Sequence, residues 1–276
     1  MDESVPSENG LVAVVVERPC WRCEIVVPES LAICPHCAAR LRPAQEASGS
    51  SSAPGNARAI GTEASFNLLF NTYALLLVTG IVHALVLGIR IESEANFNRA
   101  LRNQIFTQIG LVEVIDTFIV GIALWKFRYH FRRESVTRRK RILTWLISIP
   151  VLAALLVGNI VYHSLLRDLL RIPLISDELM DRIDLMAIMM ICVQPALVEE
   201  LYCRLFALDC LRGQIGKHAA VWITATMFGF MHVAVLPSVP YLILIGAVLA
   251  YLRLASGSIV LPMLVHFLHN LAILAI

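Results

Sequence analysis

Three short clusters of polar residues lie in the apolar C-terminal part of this 276-residue chain. They read EELYCR at 199–204, FGFMH at 228–232 and HFLHN at 266–270. A charged group at membrane depth is costly unless it is paired or hydrated, so each cluster is a candidate functional site. Carboxylate, imidazole and amide groups brought together could activate water and stabilise an oxyanion, which is the chemistry of hydrolysis.

The first cluster contains two adjacent acids for which helical geometry predicts different roles. Glu200 and Arg204 are four residues apart with the acid N-terminal, which favours an ion pair along one helix face. Glu199 is rotated about 100° from Glu200, so we expect the two acids to face different points. Because no basic residue follows Glu199 at three or four residues, its carboxylate is free to accept a proton from water, as a general base does.

The last cluster offers hydrogen-bond donors on one face of a helix. His266 and Asn270 are four residues apart, so the two side chains could bind one oxygen, as an oxyanion hole requires. His269 is rotated about 60° from His266, and we interpret it as a packing or polar contact. Glu113 and Asp116 lie in the middle of an earlier apolar segment, where they could line a cavity or pair with a neighbouring helix.

Other functions remain open for these residues. Glu199, His232 and His266 could ligate zinc and leave a fourth position for water. The polar residues could instead form an ion-pair network that only holds a non-catalytic immunity or scaffold protein together. In an ion-coupled transporter they would relay protons or cations, but such proteins more often show repeats or broken helices, and the sequence shows neither.

Four of the seven cysteines form two CxxC pairs near the N-terminus, CWRC at 20–23 and CPHC at 34–37. Each pair lets two sulfurs reach one tetrahedral ion from a tight turn, so Cys20, Cys23, Cys34 and Cys37 predict a structural zinc site with no open position. The alternative is two disulfides, which a reducing cytoplasm disfavours. The segment resembles a small zinc ribbon, and such a head could dock a protein partner.

The composition predicts a membrane protein, because 58% of the residues are hydrophobic and 16% are charged, against about a quarter charged in soluble domains. The predicted fold is all-α: a polytopic transmembrane bundle of about seven helices, each of roughly twenty residues, with a small zinc-ribbon head. The net charge of +2 does not suggest a nucleic-acid partner. The predicted helices lie near residues 66–89, 104–126, 142–166, 183–208, 218–236, 240–254 and 258–276.

The chain divides by composition into a head at 1–42, a flexible linker at 43–62 and a transmembrane domain at 63–276, with its motifs within 185–276. The linker is rich in Ser, Ala, Gly and Pro. The basic segment 125–141 places its end of the bundle in the cytoplasm, and counting helices places the N-terminus and a predicted 209–217 loop there too. We therefore expect an integral membrane protein with a cytoplasmic N-terminus, in a bacterial inner membrane.

In order along the chain, the three clusters resemble the EExxxR, FxxxH and HxxxN motifs of the CAAX-protease and bacteriocin-processing family, also called the abortive-infection family. The segment that includes Gly246 and residues 256–258 also looks like the family's linking segment. Leu205 departs from the pattern, because members often have Gly after the arginine. The resemblance covers about residues 185–276 and implies an intramembrane endopeptidase.

That resemblance implies that Glu199 activates water together with His232. It also implies that His266 and Asn270 stabilise the tetrahedral oxyanion. Two further motif residues are expected to support substrate binding and site architecture: Glu200 and Arg204. Family members have been described with and without a catalytic metal, and we favour the metal-free version because Asn270 is a poor ligand. The implied substrate is a peptide or a membrane-tethered protein in the lipid bilayer, such as the prenylated CAAX proteins that one relative trims.

Overall fold

The structure, a computed structural model, describes the residues that form the two short strands, the helices and the turns between several of them. The chain divides into two compact units, residues 1–57 and 58–276. Most of the predicted linker, 43–61, lies outside the described residues. The described ranges are 17–20, 26–28, 30–35, 41, 62–93, 99–127, 136–170 and 184–275.

In the N-terminal unit, strands β1 (Glu17–Pro19) and β2 (Val26–Pro28) pair antiparallel. Two of the predicted zinc ligands, Cys20 and Cys34, are buried in one cluster with two apolar side chains of this unit. The other two ligands, Cys23 and Cys37, lie outside the described residues. The predicted zinc site therefore stays a prediction.

The second unit is helical, and the described residues contain seven helices. Backbone groups inside a bilayer must be hydrogen-bonded within the protein, which helices achieve segment by segment. In chain order the helices are α1 (Thr62–Ser93), α2 (Arg99–Phe127), α3 (Arg138–Leu170), α4 (Leu185–Ile215), α5 (Lys217–Met231), α6 (Val239–Ser256) and α7 (Val260–Ala275).

Five of the described helices are long and apolar enough to cross a membrane: α1, α2, α3, α4, and α6 with the turn before it. Helix α7 is shorter but also apolar, and α5 has 15 residues. The prediction of a helical membrane protein is confirmed. Of the seven described helices, however, α5 and α7 are shorter than the predicted spans of roughly twenty residues. In the spans of α1, α2 and α3, 17% of the residues are buried, against 39% for the α6 span, so α6 lies inside the bundle.

Helix α4 is irregular at two places that flank its acidic pair. Wide π-helical turns occupy Ile188–Val193 and Leu201–Ala207, and a short α-helical stretch with Pro195 separates them. A π turn accommodates an extra residue and is frequently found at functional sites. The periodicity of an ordinary α-helix therefore does not hold through this part of α4.

Two sequence-based boundaries are wrong. The predicted loop at 209–217 is mostly helical, because α4 continues to Ile215 and only Gly216, with φ +83°, separates it from α5. Its polar residues Asp209 and Arg212 are buried and form an ion pair of 3.1 Å. The helix predicted at 218–236 ends at Met231, because the backbone leaves helical geometry at the next residue and Val233–Ser238 form a 3-10 turn.

Helices α5 and α6 approach closely at a glycine. A Cβ atom at Gly246 would lie 3.1 Å from a ring carbon of Phe228 and 3.2 Å from the Cα atom of Ala225. Real Cβ contacts are rarely so short, so the two helices need the missing side chain at this position. The close packing brings the Gly246 carbonyl into the interior, where a buried arginine of α4 binds it.

We expect Gly246→Ala to lower the free energy of unfolding by about 1–3 kcal/mol, because overpacking forces α5 and α6 apart. The matched control is Gly121→Ala in α2, where a Cβ atom would meet no heavy atom within 4 Å among the described residues. That variant should be neutral or slightly stabilising. Thermal unfolding in detergent measures both, and equal effects of the two substitutions would contradict the packing at Gly246.

Candidate active site

The three polar clusters meet around the Glu199 carboxylate of α4. Its Oε1 lies 3.6 Å from Nε2 of His232, and its Oε2 lies 3.9 Å from Nε2 of His266. These side chains are 17%, 26% and 5% exposed, respectively, so the acid and His232 are accessible from outside the bundle while His266 is enclosed. The structure thus brings together three residues that the sequence places on different elements.

The neighbouring acid, Glu200, contacts the same imidazole from its other side. Its Oε1 lies 3.0 Å from Nδ1 of His266, and its side chain is fully buried. Glu199 and Glu200 thus face the two different nitrogens of this ring, which lies between the carboxylates. This agrees with the predicted angle of about 100°, because both acids lie in the α-helical stretch Gln194–Glu200.

The predicted ion pair between Glu200 and Arg204 is present at 3.2 Å, with both side chains almost completely buried. The guanidinium also donates to the Gly246 carbonyl oxygen at 3.2 Å. Its carbon Cζ lies 4.4 Å from the centroid of the Phe228 ring, a cation–π contact. Arg204 therefore connects α4 with both α5 and α6.

His232 is the residue at which α5 ends, with φ −95° and ψ 38°. Its Nδ1 lies 2.9 Å from the carbonyl oxygen of Phe228, which can only accept, so Nδ1 carries a proton and donates it. In a neutral ring Nε2 is then an acceptor, and it faces the Glu199 carboxylate. A Cβ atom at Gly80 of α1 would lie 3.3 Å from the Met231 carbonyl oxygen, so α1 packs closely against this helix end.

The last motif is divided between two environments. His266 contacts the acids, whereas the Asn270 amide nitrogen donates to the carbonyl oxygen of Ile191 in the first π turn of α4, at 2.9 Å. His269 is buried, lies 2.9 Å from the hydroxyl of Tyr241 and stacks on its ring, in line with the predicted packing or polar contact. The joint oxyanion role predicted for His266 and Asn270 stays a prediction.

Helix α2 adds further carboxylates to this region. The hydroxyl of Thr79 in α1 donates to Asp116 at 2.8 Å, so this acid pairs with a neighbouring helix. Glu113 and Asp116 both lie close enough to Glu199 to interact with it electrostatically. The backbone carbonyl of Glu113 also accepts a hydrogen bond from Gln194 of α4 at 3.0 Å. These contacts join α1, α2 and α4 beside the site.

No group of three or more His, Cys, Asp or Glu side chains in the described part of the chain has the geometry to hold a metal ion. The trio that the sequence offered for catalytic zinc, Glu199, His232 and His266, is thus close together but not arranged as a ligand set. The distances of 3.6 and 3.9 Å between Glu199 and the two imidazoles are longer than direct hydrogen bonds.

Several contacts of the site were not predicted from sequence. Phe228 belongs to the FxxxH motif, but its contact with Arg204 was not predicted. Pro195 was a visible signal, because a proline inside an apolar helix removes a backbone donor. The Ile191 carbonyl and the Tyr241 hydroxyl had no recognisable signal, because both depend on tertiary contacts.

Part of the chain matches the model of a known protein family. The model of the type II CAAX prenyl endopeptidase Rce1-like family matches residues 181–272, a third of the chain. The match spans all three polar clusters and supports the predicted relation to CAAX proteases. Taken with the apolar helices, it supports a peptidase embedded in a membrane. Searches of curated proteins and of solved structures gave no match.

We expect Glu200→Gln to lower the free energy of unfolding by about 3–5 kcal/mol, because Arg204 keeps a buried charge without its carboxylate partner. The double variant Glu200→Gln/Arg204→Met should recover part of that loss by removing the orphaned charge. The control is Glu63→Gln on the exposed first turn of α1, which should change stability by less than about 0.5 kcal/mol. Chemical denaturation in detergent checks all three, and a single variant as stable as the double would contradict the pairing.

Proposed function

We propose that this protein is an intramembrane endopeptidase that hydrolyses a peptide bond of a membrane-associated protein or peptide. The observation that carries the proposal is the placement of the Glu199 carboxylate 3.6 Å from His232 and 3.9 Å from His266. The family match over residues 181–272 supports the reaction class.

Water activation is assigned to Glu199 and His232. Because His232 donates from Nδ1 to Phe228, its Nε2 and the Glu199 carboxylate are two acceptors that face each other. A water molecule beside them can donate one hydrogen bond to each, and such a water is held with its oxygen lone pairs free. Glu199 takes the proton as the water oxygen attacks the carbonyl carbon, and it can return that proton to the leaving amine.

Oxyanion stabilisation is assigned to His266 and Asn270. With both ring nitrogens protonated, His266 donates from Nδ1 to Glu200 and keeps Nε2–H for the oxygen that becomes negative. In that state the charges of Arg204 and His266 balance those of Glu199 and Glu200. The Asn270 amide has a second N–H beyond the one bound to Ile191.

The substrate class follows from the environment of the site and from the family match. Glu199 and His232 are partly exposed at the edge of an apolar bundle, which suits a peptide that approaches along a membrane anchor. The matched family acts on prenylated CAAX sequences, so a C-terminal peptide next to a prenylated cysteine is the substrate we propose to test first.

For the N-terminal unit we propose a structural zinc ion held by Cys20, Cys23, Cys34 and Cys37. The burial of Cys20 and Cys34 in one cluster beside a two-stranded ribbon supports it, since the two knuckles of a zinc site must meet. A cytoplasmic location keeps these thiols reduced, and the exposed basic residues that open α3 favour that side of the membrane. The head would then be available to a cytoplasmic partner protein.

We expect Glu199→Gln to reduce hydrolysis of a quenched farnesylated CAAX peptide by at least about 10²-fold, because the amide cannot accept the proton of water. The variant should fold normally, since Glu199 is not part of the Glu200–Arg204 pair. Fluorescence release by purified protein in lipid nanodiscs measures the rate, with the same peptide lacking the prenyl group as a second probe.

The matched control is Asp168→Asn, which removes an exposed carboxylate of α3 outside the site and should keep full activity. Equal turnover by wild type and Glu199→Gln would remove the catalytic assignment. Ion flux into vesicles that Glu199→Gln abolishes, without any peptide cleavage, would instead favour an ion-coupled transporter.

Metal content tests the zinc assignments. We expect a single zinc ion per full-length chain, lost in a Cys20→Ser/Cys34→Ser variant because the tetrahedral site needs all four thiolates. His266→Ala should retain that ion if catalysis is metal-free. Mass-spectrometric metal analysis measures both, and zinc lost from His266→Ala would contradict the metal-free mechanism.

A further inference from the structure

Helices α3 and α6 run antiparallel and leave an apolar groove between them. The Tyr241 hydroxyl near the start of α6 donates to the Leu155 carbonyl oxygen of α3 at 2.7 Å, while the end of α6 lies beside the start of α3. The groove between these two segments has a volume of about 260 Å³. We call it the α3–α6 groove, and its walls include Thr144, Ile147, Val151, Val248, Tyr251 and Ala255.

The α3–α6 groove opens to the outside of the bundle and is separate from the Glu199 site. Ile147 and Tyr251 on its two walls are 47% and 37% exposed, so a surrounding bilayer can reach it. Val248 is rotated by about 160° around α6 from Gly246, whose carbonyl binds Arg204 in the interior. Helix α6 therefore stands between the groove and the catalytic candidates.

One end of the groove is basic. Helix α3 begins with four exposed basic residues, 138–141, and among them Lys140 lies one turn before Thr144 on the same helix face. The backbone of Lys140 is about 6 Å beyond Thr144 along the helix axis. On the opposite wall, the Tyr251 hydroxyl lies 2.9 Å from Nδ1 of His218, near the start of α5. An ammonium group and a hydrogen-bonded hydroxyl thus flank the same end of an otherwise apolar groove.

This distribution of charge matches an anionic lipid. From Thr144 to Val151 the groove follows α3 for about 10 Å, parallel to the direction in which acyl chains extend in a bilayer. Its volume is below the roughly 300–1,000 Å³ of sites for compact drug-sized ligands, so it suits part of one extended chain. Basic pockets between membrane helices are known to bind anionic lipid headgroups.

We propose that the α3–α6 groove binds an anionic phospholipid, with the phosphate beside Lys140 and Tyr251 and one acyl chain along Ile147, Val151 and Val248. The lipid belongs to the leaflet at the end of the bundle where α3 begins. A headgroup without a positive charge is preferred, because a choline group would offset the attraction of the phosphate to Lys140. The proposal does not depend on the proposed peptidase activity.

The test compares two lipids that differ only in their headgroup. Full-length protein in detergent is titrated with dioleoyl phosphatidylglycerol or dioleoyl phosphatidylcholine, and native mass spectrometry gives the Kd of the first bound lipid. We expect wild type to bind phosphatidylglycerol at least about fivefold more tightly, the contribution of one basic residue near an anionic headgroup. Phosphatidylglycerol should also raise the Tm of wild type more than phosphatidylcholine does, because it binds the folded state more tightly.

Two pairs of variants separate the headgroup from the acyl chain. Lys140→Gln should reduce the preference for phosphatidylglycerol to less than about twofold, whereas Lys126→Gln, which removes an exposed lysine from the last turn of α2, should retain it. Ala255→Phe should abolish tight binding of both lipids, because the ring fills the groove. Its control is Ala153→Phe, an exposed position on the opposite face of α3, which should leave both affinities unchanged.

Several results would overturn the proposal. Equal affinities of wild type for the two lipids would remove the charge preference. The same loss in Lys140→Gln and Lys126→Gln would show an attraction to the overall charge and not to the groove. If the farnesylated peptide displaces bound phosphatidylglycerol, the groove belongs to the substrate, and if Ala255→Phe dissociates a dimer, it belongs to a second copy of the chain.

Discussion

The structure depends on a buried guanidinium. Arg204 is 1% exposed inside a bundle whose outer surface is apolar, and an uncompensated charge there would destabilise the protein severely. Its partners come from three helices: the Glu200 carboxylate of α4, the ring of Phe228 in α5 and the Gly246 carbonyl of α6. Because each of these must be in place at once, the arginine determines how closely α4, α5 and α6 pack. The same Glu200 oxygen contacts His266, so α7 is held by the network as well.

The backbone of α4 is irregular on both sides of its acidic pair. The two adjacent acids lie in the α-helical stretch Gln194–Glu200, between the two π turns, so they point about 100° apart. Their carboxylates accordingly face the two different nitrogens of one imidazole. The earlier π turn, at Ile188–Val193, contains the carbonyl that binds Asn270. The first departure from α-helical geometry therefore coincides with a contact to α7, where the remaining polar residues lie.

Much of this arrangement could be predicted from sequence, and the failures have physical reasons. Spacing in EELYCR predicts the ion pair between Glu200 and Arg204, because residues four apart on a helix share a face. Apolar blocks predict the helices, but the loop at 209–217 was misassigned because Asp209 and Arg212 neutralise each other inside α4. The π turns could not be predicted, since they depend on tertiary contacts rather than on local propensity. The contact of the Asn270 amide with the Ile191 carbonyl depends likewise on how α7 packs against α4.

The two neighbouring acids of one sequence motif thus differ in their exposure and in their hydrogen-bonding partners. Glu200 is fully buried and contacts a guanidinium and an imidazole, so its charge stabilises the packing between helices. Glu199 is 17% exposed and lies beyond direct hydrogen-bonding distance of both histidines, and its Oε2 has no hydrogen-bond partner among the described residues. A carboxylate that is held loosely at an accessible edge can accept and release a proton, whereas one that neutralises a buried arginine cannot do so without exposing that charge. The buried acid therefore holds the ring of His266 beside the more accessible carboxylate of Glu199.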